Sequence, residues 1–456
     1  MQLHDYQIEA YEFLNERLRK SKGAALFLDP GLGKTAIVLH WLCGRMERGD
    51  PIRALIVAPL RVVHTVWPNE VKKWALSISM TLLQGPPNKR LQLLADSKTD
   101  AYCITPDLIP WLAKQTYKPF DVLIVDESTS FKTWTAKRTQ SLRALLPQFG
   151  RRVILTGTPA ADSYCDLHGQ IYLLDDGAAL GRTLWDFRQS YCYQGGYENR
   201  EWLFRAACKP VVEEKIKPLS FRLNGGHYLD LPELLVNDVW VSLPGSVAAK
   251  YRQLHRQLIL TLDEGETLRA QSFAQIYSMC RQVANGGIYD TDGDDRQTHH
   301  LHTAKIDAAA NIVAELHGKP ALVFYPFQSD LVRLRKAFPR AAAIYGGLPT
   351  GQSTEVLRAW NDGRLPVLLC QCQTVSHGLN MQGSGCADAI WIGVPDSLET
   401  YLQANARIHR QGQSNAQVRI HRILARDTVD EVIAERLDTK DMDQAKLLLR
   451  LERMLS

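Results

Sequence analysis

Leu28-Asp29-Pro30-Gly31-Leu32-Gly33-Lys34-Thr35 stands between an apolar run, Ala24 to Leu28, and a stretch of helical period, Ala36 to Met46. Glycines at 31 and 33 let the backbone curl so that several amide N–H groups and a helix N-terminus face one anion. In that strand–turn–helix setting Lys34 would reach the β- and γ-phosphates of ATP, and the Thr35 hydroxyl would bind Mg2+. Leu28 occupies the place of the first glycine in the general phosphate-loop pattern, so the form that remains is Gly-x-Gly-Lys-Thr. A glycine turn with an incidental lysine is the bland alternative, and the flanking strand and helix argue against it.

Outward from this loop the same rhythm continues. Short apolar runs bounded by turn residues recur at Ala54 to Ala58, Tyr102 to Thr105, Val122 to Val125 and Val153 to Leu155, with helical period between, as at Asn69 to Ser77. It returns toward the C-terminus at Ala321 to Tyr325, Ala341 to Tyr345, Val367 to Cys370, Ala389 to Val394 and Val418 to Leu424. Continuous apolar strands alternating with helices form parallel sheets covered on both faces. From about Asp162 to His302 the pattern is helical instead, at Ser246 to Leu262 and Leu268 to Val283, broken by glycine pairs at Gly195, Gly225 and Gly286. The expected fold is therefore α/β, with an N-terminal lobe over 1–161, helical insertions and a connector over 162–302, and a C-terminal lobe over 303–456.

A chain of 456 residues exceeds what one hydrophobic core organises. Its 45% hydrophobic and 23% charged residues exclude disorder, and a net charge of +5 permits a polyanionic partner without demanding one. Nine scattered cysteines with no Cys-x-x-Cys pair read as reduced thiols, and Cys370 with Cys372 reads as packing. Neither a signal peptide nor an apolar run of membrane-spanning length is legible, so a cytoplasmic location and no membrane partner are expected. The acidic run Asp290-Thr291-Asp292-Gly293-Asp294-Asp295 misplaces the glycine of a calcium loop and has Leu301 where the final glutamate belongs. His299, His300 and His302 have no matching cysteine or acidic spacing and read as a surface loop.

Two further strand ends carry chemistry. The run Asp121 to Val125 leads into Asp126-Glu127-Ser128-Thr129, and adjacent carboxylates at the end of a buried strand are costly unless they serve something. Asp126 is the expected magnesium ligand and Glu127 the general base that polarises the attacking water. Another strand ends in Leu155-Thr156-Gly157-Thr158-Pro159, which presents two hydroxyls.

Together, and in this order, the three segments resemble motifs I, II and III of helicase superfamily two. The resemblance makes the lobes RecA-like and extends to His4-Asp5-Tyr6-Gln7, similar to an adenine-reading segment in which Gln7 bonds the base. The C-terminal lobe narrows it to the Swi/Snf-type branch. Gln403-Ala404-Asn405-Ala406-Arg407-Ile408-His409-Arg410-Gln411-Gly412-Gln413 is similar to motif VI, and Thr374-Val375-Ser376-His377-Gly378-Leu379-Asn380-Met381-Gln382 to motif V in the form of compact bacterial and phage members. Ala321 to Tyr325 resembles motif IV, and Tyr345-Gly346-Gly347 with Trp360-Asn361-Asp362-Gly363 the signature after it. Arg281 to Gly287, Thr303-Ala304-Lys305 and Asp427 to Glu431 match further family segments.

The resemblance implies that Lys34, Glu127, Gln403, Arg407 and Arg410 are catalytic. It implies also that Gln7, Gly31, Gly33, Lys34, Thr35, Asp126 and Gly378 bind nucleotide, and that double-stranded DNA is the track. An arginine pair from the second lobe would stabilise charge on the γ-phosphate, and lobe closure would become stepping. No segment identifies a loading, replication or repair protein partner. Motif II reads Asp-Glu-Ser-Thr, not Asp-Glu-x-His, so the family histidine's coupling role passes to another residue, with Thr129 the candidate. No chromatin-reading or zinc module is evident, which favours a minimal motor over a remodeller. Candidate phosphate contacts are Ala58-Pro59-Leu60-Arg61, Lys132 and Thr374, whereas Trp67 and Trp74 read as packing. A strand-separating helicase and a nucleotide-dependent DNA-binding switch are the rival readings.

Overall fold

A computed structural model of the chain describes residues 2–50, 52–96, 98–118, 120–160, 162–195, 201–225, 228, 231–257, 259–261, 267–269, 273–289, 297–375, 379 and 381–439. The chain divides into two compact units, Met1–Gly195 with Trp202–Leu229, and Asp230–Ser456 with Gly196–Glu201.

In the first unit the strands are β1 (Gly23–Leu28), β2 (Ala54–Val57), β3 (Met80–Leu82), β4 (Ala101–Ile104), β5 (Val122–Asp126), β6 (Arg151–Thr156), the hairpin β7 (Cys192–Gly195) and β8 (Glu201–Phe204), and β9 (Ser220–Leu223). A seven-stranded sheet runs β3-β4-β2-β5-β6-β1-β9, and every pairing in it is parallel. Strands β1, β2, β4 and β5 are buried along their whole length, as a sheet covered on both faces requires. The register places Phe27 beside Thr156, Asp126 beside Leu155 and Val57 beside Val125. The carboxyl ends of β1, β2, β5 and β6 thus meet at one edge, where open α/β sheets bind ligands.

The second unit contains β10 (Glu233–Val241), the two-stranded pairs β11 (Ile259–Thr261) with β12 (Thr267–Arg269) and β13 (Gly287–Tyr289) with β14 (Thr298–His300), then β15 (Ala321–Tyr325), β16 (Ala342–Ile344), β17 (Val367–Gln371), β18 (Asp388–Trp391) and β19 (Gln417–Ala425). Its six-stranded parallel sheet has the order β10-β19-β18-β15-β17-β16.

The stretch 162–302, expected as a helical connector, is divided between the units at Leu229/Asp230 and contributes a strand to each sheet. Both added strands lie at sheet edges, where one side stays open and no continuous apolar run is needed. Strand β9 joins β1, and β10 joins β19 over nine residues with Asp238 opposite Arg422. Arg422 locks that pairing through Nε to Asp238 Oδ1 at 2.6 Å and through Nη1 to Asp438 Oδ1 at 2.7 Å. The helix expected to run to Leu262 stops at Gln257, and Ile259-Leu260-Thr261 pairs as a strand. His299 and His300, read as loop, sit on β14, and the His302 ring N–H donates to the Val283 carbonyl at 2.9 Å. Cys370 and Cys372 are fully buried, and burial pushes the Cys372 thiol up to about 12. The acidic run 290–295 lies outside the described residues.

Candidate functional site

The first unit gathers Gln7, Gly31, Gly33, Lys34, Thr35, Asp126 and Glu127 at the carboxyl edge of its sheet. Strand β1 delivers the loop 29–33, and Lys34 opens the helix Lys34–Glu47 with Thr35 in its first turn. Gly31 and Gly33 have φ of 96° and 78°, the left-handed region that a side chain at either position would strain. A Cβ on Gly33 would also fall on Gln7 Nε2, so this glycine serves conformation and close approach together. Gln7 is buried, accepts from the His4 backbone N–H at 3.0 Å and donates to the Leu32 carbonyl at 3.2 Å. These bonds place Gln7 against the phosphate loop. Lys34 Nζ donates to the Leu28 carbonyl at 2.6 Å.

The loop has a brace that sequence reasoning missed. Asp29 N–H donates to Leu223 O at 3.3 Å, and Asp29 Oδ2 accepts from the Gly225 N–H at 3.0 Å, so the end of β9 grips the loop from the far side. The glycine pair at Gly225 is the visible sequence signal, and there it looks like a break.

At the end of β5, Asp126 is buried, and burial first, with the Glu127 charge second, pushes its carboxyl up to about 6; Lys34 opposes the shift. A desolvated carboxylate beside a second carboxylate, with the Thr35 hydroxyl in the first turn of the helix after the phosphate loop, is a hard oxygen donor set that fits a small divalent cation. Asp126 Oδ2 accepts the indole N–H of Trp67 at 3.0 Å. Trp67 is fully buried as the packing reading expected, yet it also holds a site carboxylate. Glu127 has φ 56° and ψ 64°, a left-handed backbone that costs a non-glycine residue about 1–2 kcal/mol. That turn aims Glu127 away from the line of the strand, and such strain clusters at functional sites.

Motif II is tied to motif III by a residue outside both. Ser128 Oγ donates to Gln170 Oε1 at 2.7 Å, and Gln170 Nε2 donates to Pro159 O at 2.7 Å and Asp166 O at 3.0 Å. Ser128 and Gln170 are both fully buried, and a Cβ on Gly169 would sit 2.7 Å from Phe131 O, so the helix Leu167–Asp175 presses directly on the motif II turn. Thr156 turns its hydroxyl inward, accepting from the Thr158 N–H at 3.2 Å. Lys132, a candidate DNA contact, is paired with Asp162 at 3.1 Å and Asp166 at 3.3 Å.

Gln403, Arg407 and Arg410 are gathered in the second unit. The helix Leu398–Asn405 ends before the arginines, which lie on the following turn. Arg407 donates from Nε to Gln403 O and from Nη1 to Leu379 O, both at 3.0 Å, joining motif VI to motif V. Asn405 Oδ1 accepts from the Trp391 indole at 2.9 Å, and Gln413 Nε2 donates to Cys386 O at 2.9 Å, anchoring the turn at both ends. Gly378 lies outside the described residues.

The geometry defines a class: a parallel-sheet ATPase core of the helicase-like kind, with its phosphate loop and paired carboxylates on one unit. Comparison with known proteins makes this specific. The SNF2-related domain matches residues 6–286, and the helicase conserved C-terminal domain matches residues 304–412. The chain belongs to the SNF2-related family. Protein p41 of Acyrthosiphon pisum secondary endosymbiont phage 1 is 32% identical over 444 residues, covering 93% of this chain and 94% of p41. Chromodomain-helicase-DNA-binding protein 1-like of Mus musculus is 24% identical over 96% of this chain, which spans 49% of that protein's length. The solved Sulfolobus solfataricus SWI2/SNF2 ATPase core in complex with dsDNA aligns over 99% of this chain and 95% of its own at 17% identity, with a TM-score of 0.46. The family match changes domain between 286 and 304, whereas the compact units divide at 229/230, because β10 crosses into the second sheet ahead of the sequence boundary. Among the described residues no helix is long and apolar enough to cross a membrane.

Proposed function

We propose that this chain is an ATP-dependent translocase on double-stranded DNA. The observation that carries the proposal is the convergence of Lys34, Asp126 and the strained Glu127 at one sheet edge in a SNF2-family chain. In this reading Gln7 reads the base, the amides of the loop with Gly31 and Gly33 cradle the phosphates, and Lys34 leaves Leu28 O for the β- and γ-phosphates. Thr35 and Asp126 would hold magnesium, which when bound neutralises charge on the phosphate oxygens. Glu127 orients and deprotonates the attacking water, and Gln403, Arg407 and Arg410 of the second unit supply charge stabilisation for the transferring phosphoryl group. Gly378 is assigned to nucleotide binding with them. DNA contact falls to the segment Ala58-Pro59-Leu60-Arg61, to Lys132, whose ammonium is shared with Asp162 and Asp166, and to Thr374.

An ATPase assay without nucleic acid and with single-stranded DNA, duplex DNA or RNA tests the proposal. Duplex DNA is expected to stimulate turnover most, and the stimulation is expected to fall as salt rises, since phosphate contacts release counterions. Equal or greater stimulation by single strands would replace the duplex translocase with the fork helicase. For the chemistry, Lys34→Ala is expected to abolish turnover by removing the charge on the phosphates. Glu127→Gln is expected to retain ATP unhydrolysed, because it changes the base and leaves the backbone turn in place. Filter-binding of labelled ATP beside a phosphate-release assay separates the two, and near-parental release by Glu127→Gln would remove it as the base.

A further inference from the structure

We propose that Trp67 is a positioning residue for Asp126: its indole N–H fixes one oxygen of the carboxylate and couples the segment 58–66 to the metal-binding end of β5. The inference rests on the reading of Asp126 as the magnesium carboxylate. Three features of the structure support it.

The bond itself is directional. Trp67 Nε1 donates to Asp126 Oδ2 at 3.0 Å with the indole fully buried, so water cannot substitute as a donor. Indole donates and never accepts, so this contact cannot reverse its sense. Groups that bond the ligands of a metal set their orientation, and losing one typically costs 10–100-fold in metal affinity.

The backbone carrying Trp67 is unusual. Residues Val62–Val66 form a π-helical turn, and the Trp67 backbone N–H closes it on the Val62 carbonyl before the α-helix Trp67–Lys73 begins. Single π turns inside helices are frequently found at functional sites. The same residue therefore closes the π turn with its backbone and holds Asp126 with its side chain. An α turn in place of the π turn changes the phase by one residue, about 100° around the axis, and takes the indole N–H off Oδ2.

The turn also begins at the surface segment named as a phosphate contact. Val57, the last residue of β2, lies beside Val125 in register, and Ala58-Pro59-Leu60-Arg61 follows directly with Leu60 exposed. Val63 N–H donates to Pro59 O at 3.1 Å and Thr65 Oγ1 to Arg61 O at 2.7 Å, so the π turn is built on that segment. Any ligand that displaces residues 58–61 acts on the turn, and through Trp67 on Asp126.

Trp67→Phe keeps an aromatic ring and removes the N–H. Binding of a fluorescent ATP analogue is measured at equilibrium across a magnesium titration, with no turnover required, and melting temperature is followed on the same samples. The expected result is about a 10–100-fold rise in the magnesium concentration for half-maximal binding, with metal-free nucleotide binding unchanged and duplex stimulation of ATPase reduced. A magnesium midpoint within twofold of the parent, in a folded variant, overturns the proposal. Should Trp67→Phe fail to fold, the benzothiophene analogue of tryptophan at position 67 preserves the shape and lacks only the N–H, and the same two outcomes decide. A parental chain whose nucleotide binding ignores magnesium instead overturns the assignment of Asp126 itself, a different failure from an unaffected variant.

Discussion

Arg410→Ala is expected to lower ATP turnover by about three to five orders of magnitude while leaving nucleotide affinity and melting temperature close to the parental values. An arginine that stabilises charge on a transferring phosphoryl group is worth that much in related enzymes. Lysine at 410 is expected to rescue poorly, because a point charge does not reproduce the planar fork of donors. Arg407 is committed in part to its own unit, through Gln403 O and Leu379 O, so Arg407→Ala is expected to lose turnover and also thermal stability. Turnover, ATP affinity and melting temperature measured on both variants decide between finger and brace. A folded Arg410→Ala that hydrolyses ATP near the parental rate removes Arg410 from the proposed chemistry.

The sheets were legible because their central strands are continuous apolar runs. Ala24 to Leu28 and Val122 to Val125 name β1 and β5 within a residue, since both faces are covered and nothing polar interrupts them. The edge strands β9 and β10 escaped for the converse reason. Strand β10 carries Asn237 and Asp238 in mid-strand, and the cation that makes Asp238 tolerable, Arg422, is 184 residues away in sequence. Pairing at that separation leaves no local pattern. The chemistry-bearing residues were legible as types: glycines that curl the backbone, paired acids at a strand end, arginines at fixed spacing. Their supports were not. Trp67 has the composition of a core residue and is one; only its single N–H, aimed at Asp126, distinguishes it. Gln170 likewise looks like a polar residue on a helix, yet it is buried and spans motifs II and III. That bridge passes through Ser128, beside the Thr129 offered in place of the family histidine.

Lys305 provides the second large expected effect, on stability rather than chemistry. Three segments that the sequence set apart as family-like, around Asn285, Lys305 and Asp430, close on one another inside the second unit. Lys305 is fully buried, with Nζ 2.5 Å from Asp430 Oδ2 and 2.8 Å from Asn285 Oδ1. Asn285 Nδ2 donates to Asp330 Oδ2 at 3.2 Å, and Arg333 pairs with Asp330 while donating to the Asn285 carbonyl at 2.7 Å. Gly393 is required beside them, since a Cβ there would collide with the Asn285 amide. Breaking one member of such a network leaves a buried charge uncompensated, a loss of about 3–5 kcal/mol. Lys305→Met is therefore expected to destabilise the second unit by that amount in urea unfolding. Asp430→Asn added to it removes the orphaned charge and keeps an acceptor for the Ala425 N–H, which Asp430 now holds at 2.8 Å. The double variant is expected to recover part of the loss, because a pair removed together is far less costly than a pair broken. Since Lys34, Asp126 and Glu127 belong to the other unit, ATP affinity is expected to persist in the folded fraction of both variants. A Lys305→Met chain that unfolds within about 0.5 kcal/mol of the parent would show that the lysine is held in place by its surroundings without holding them, since most surface substitutions fall in that range.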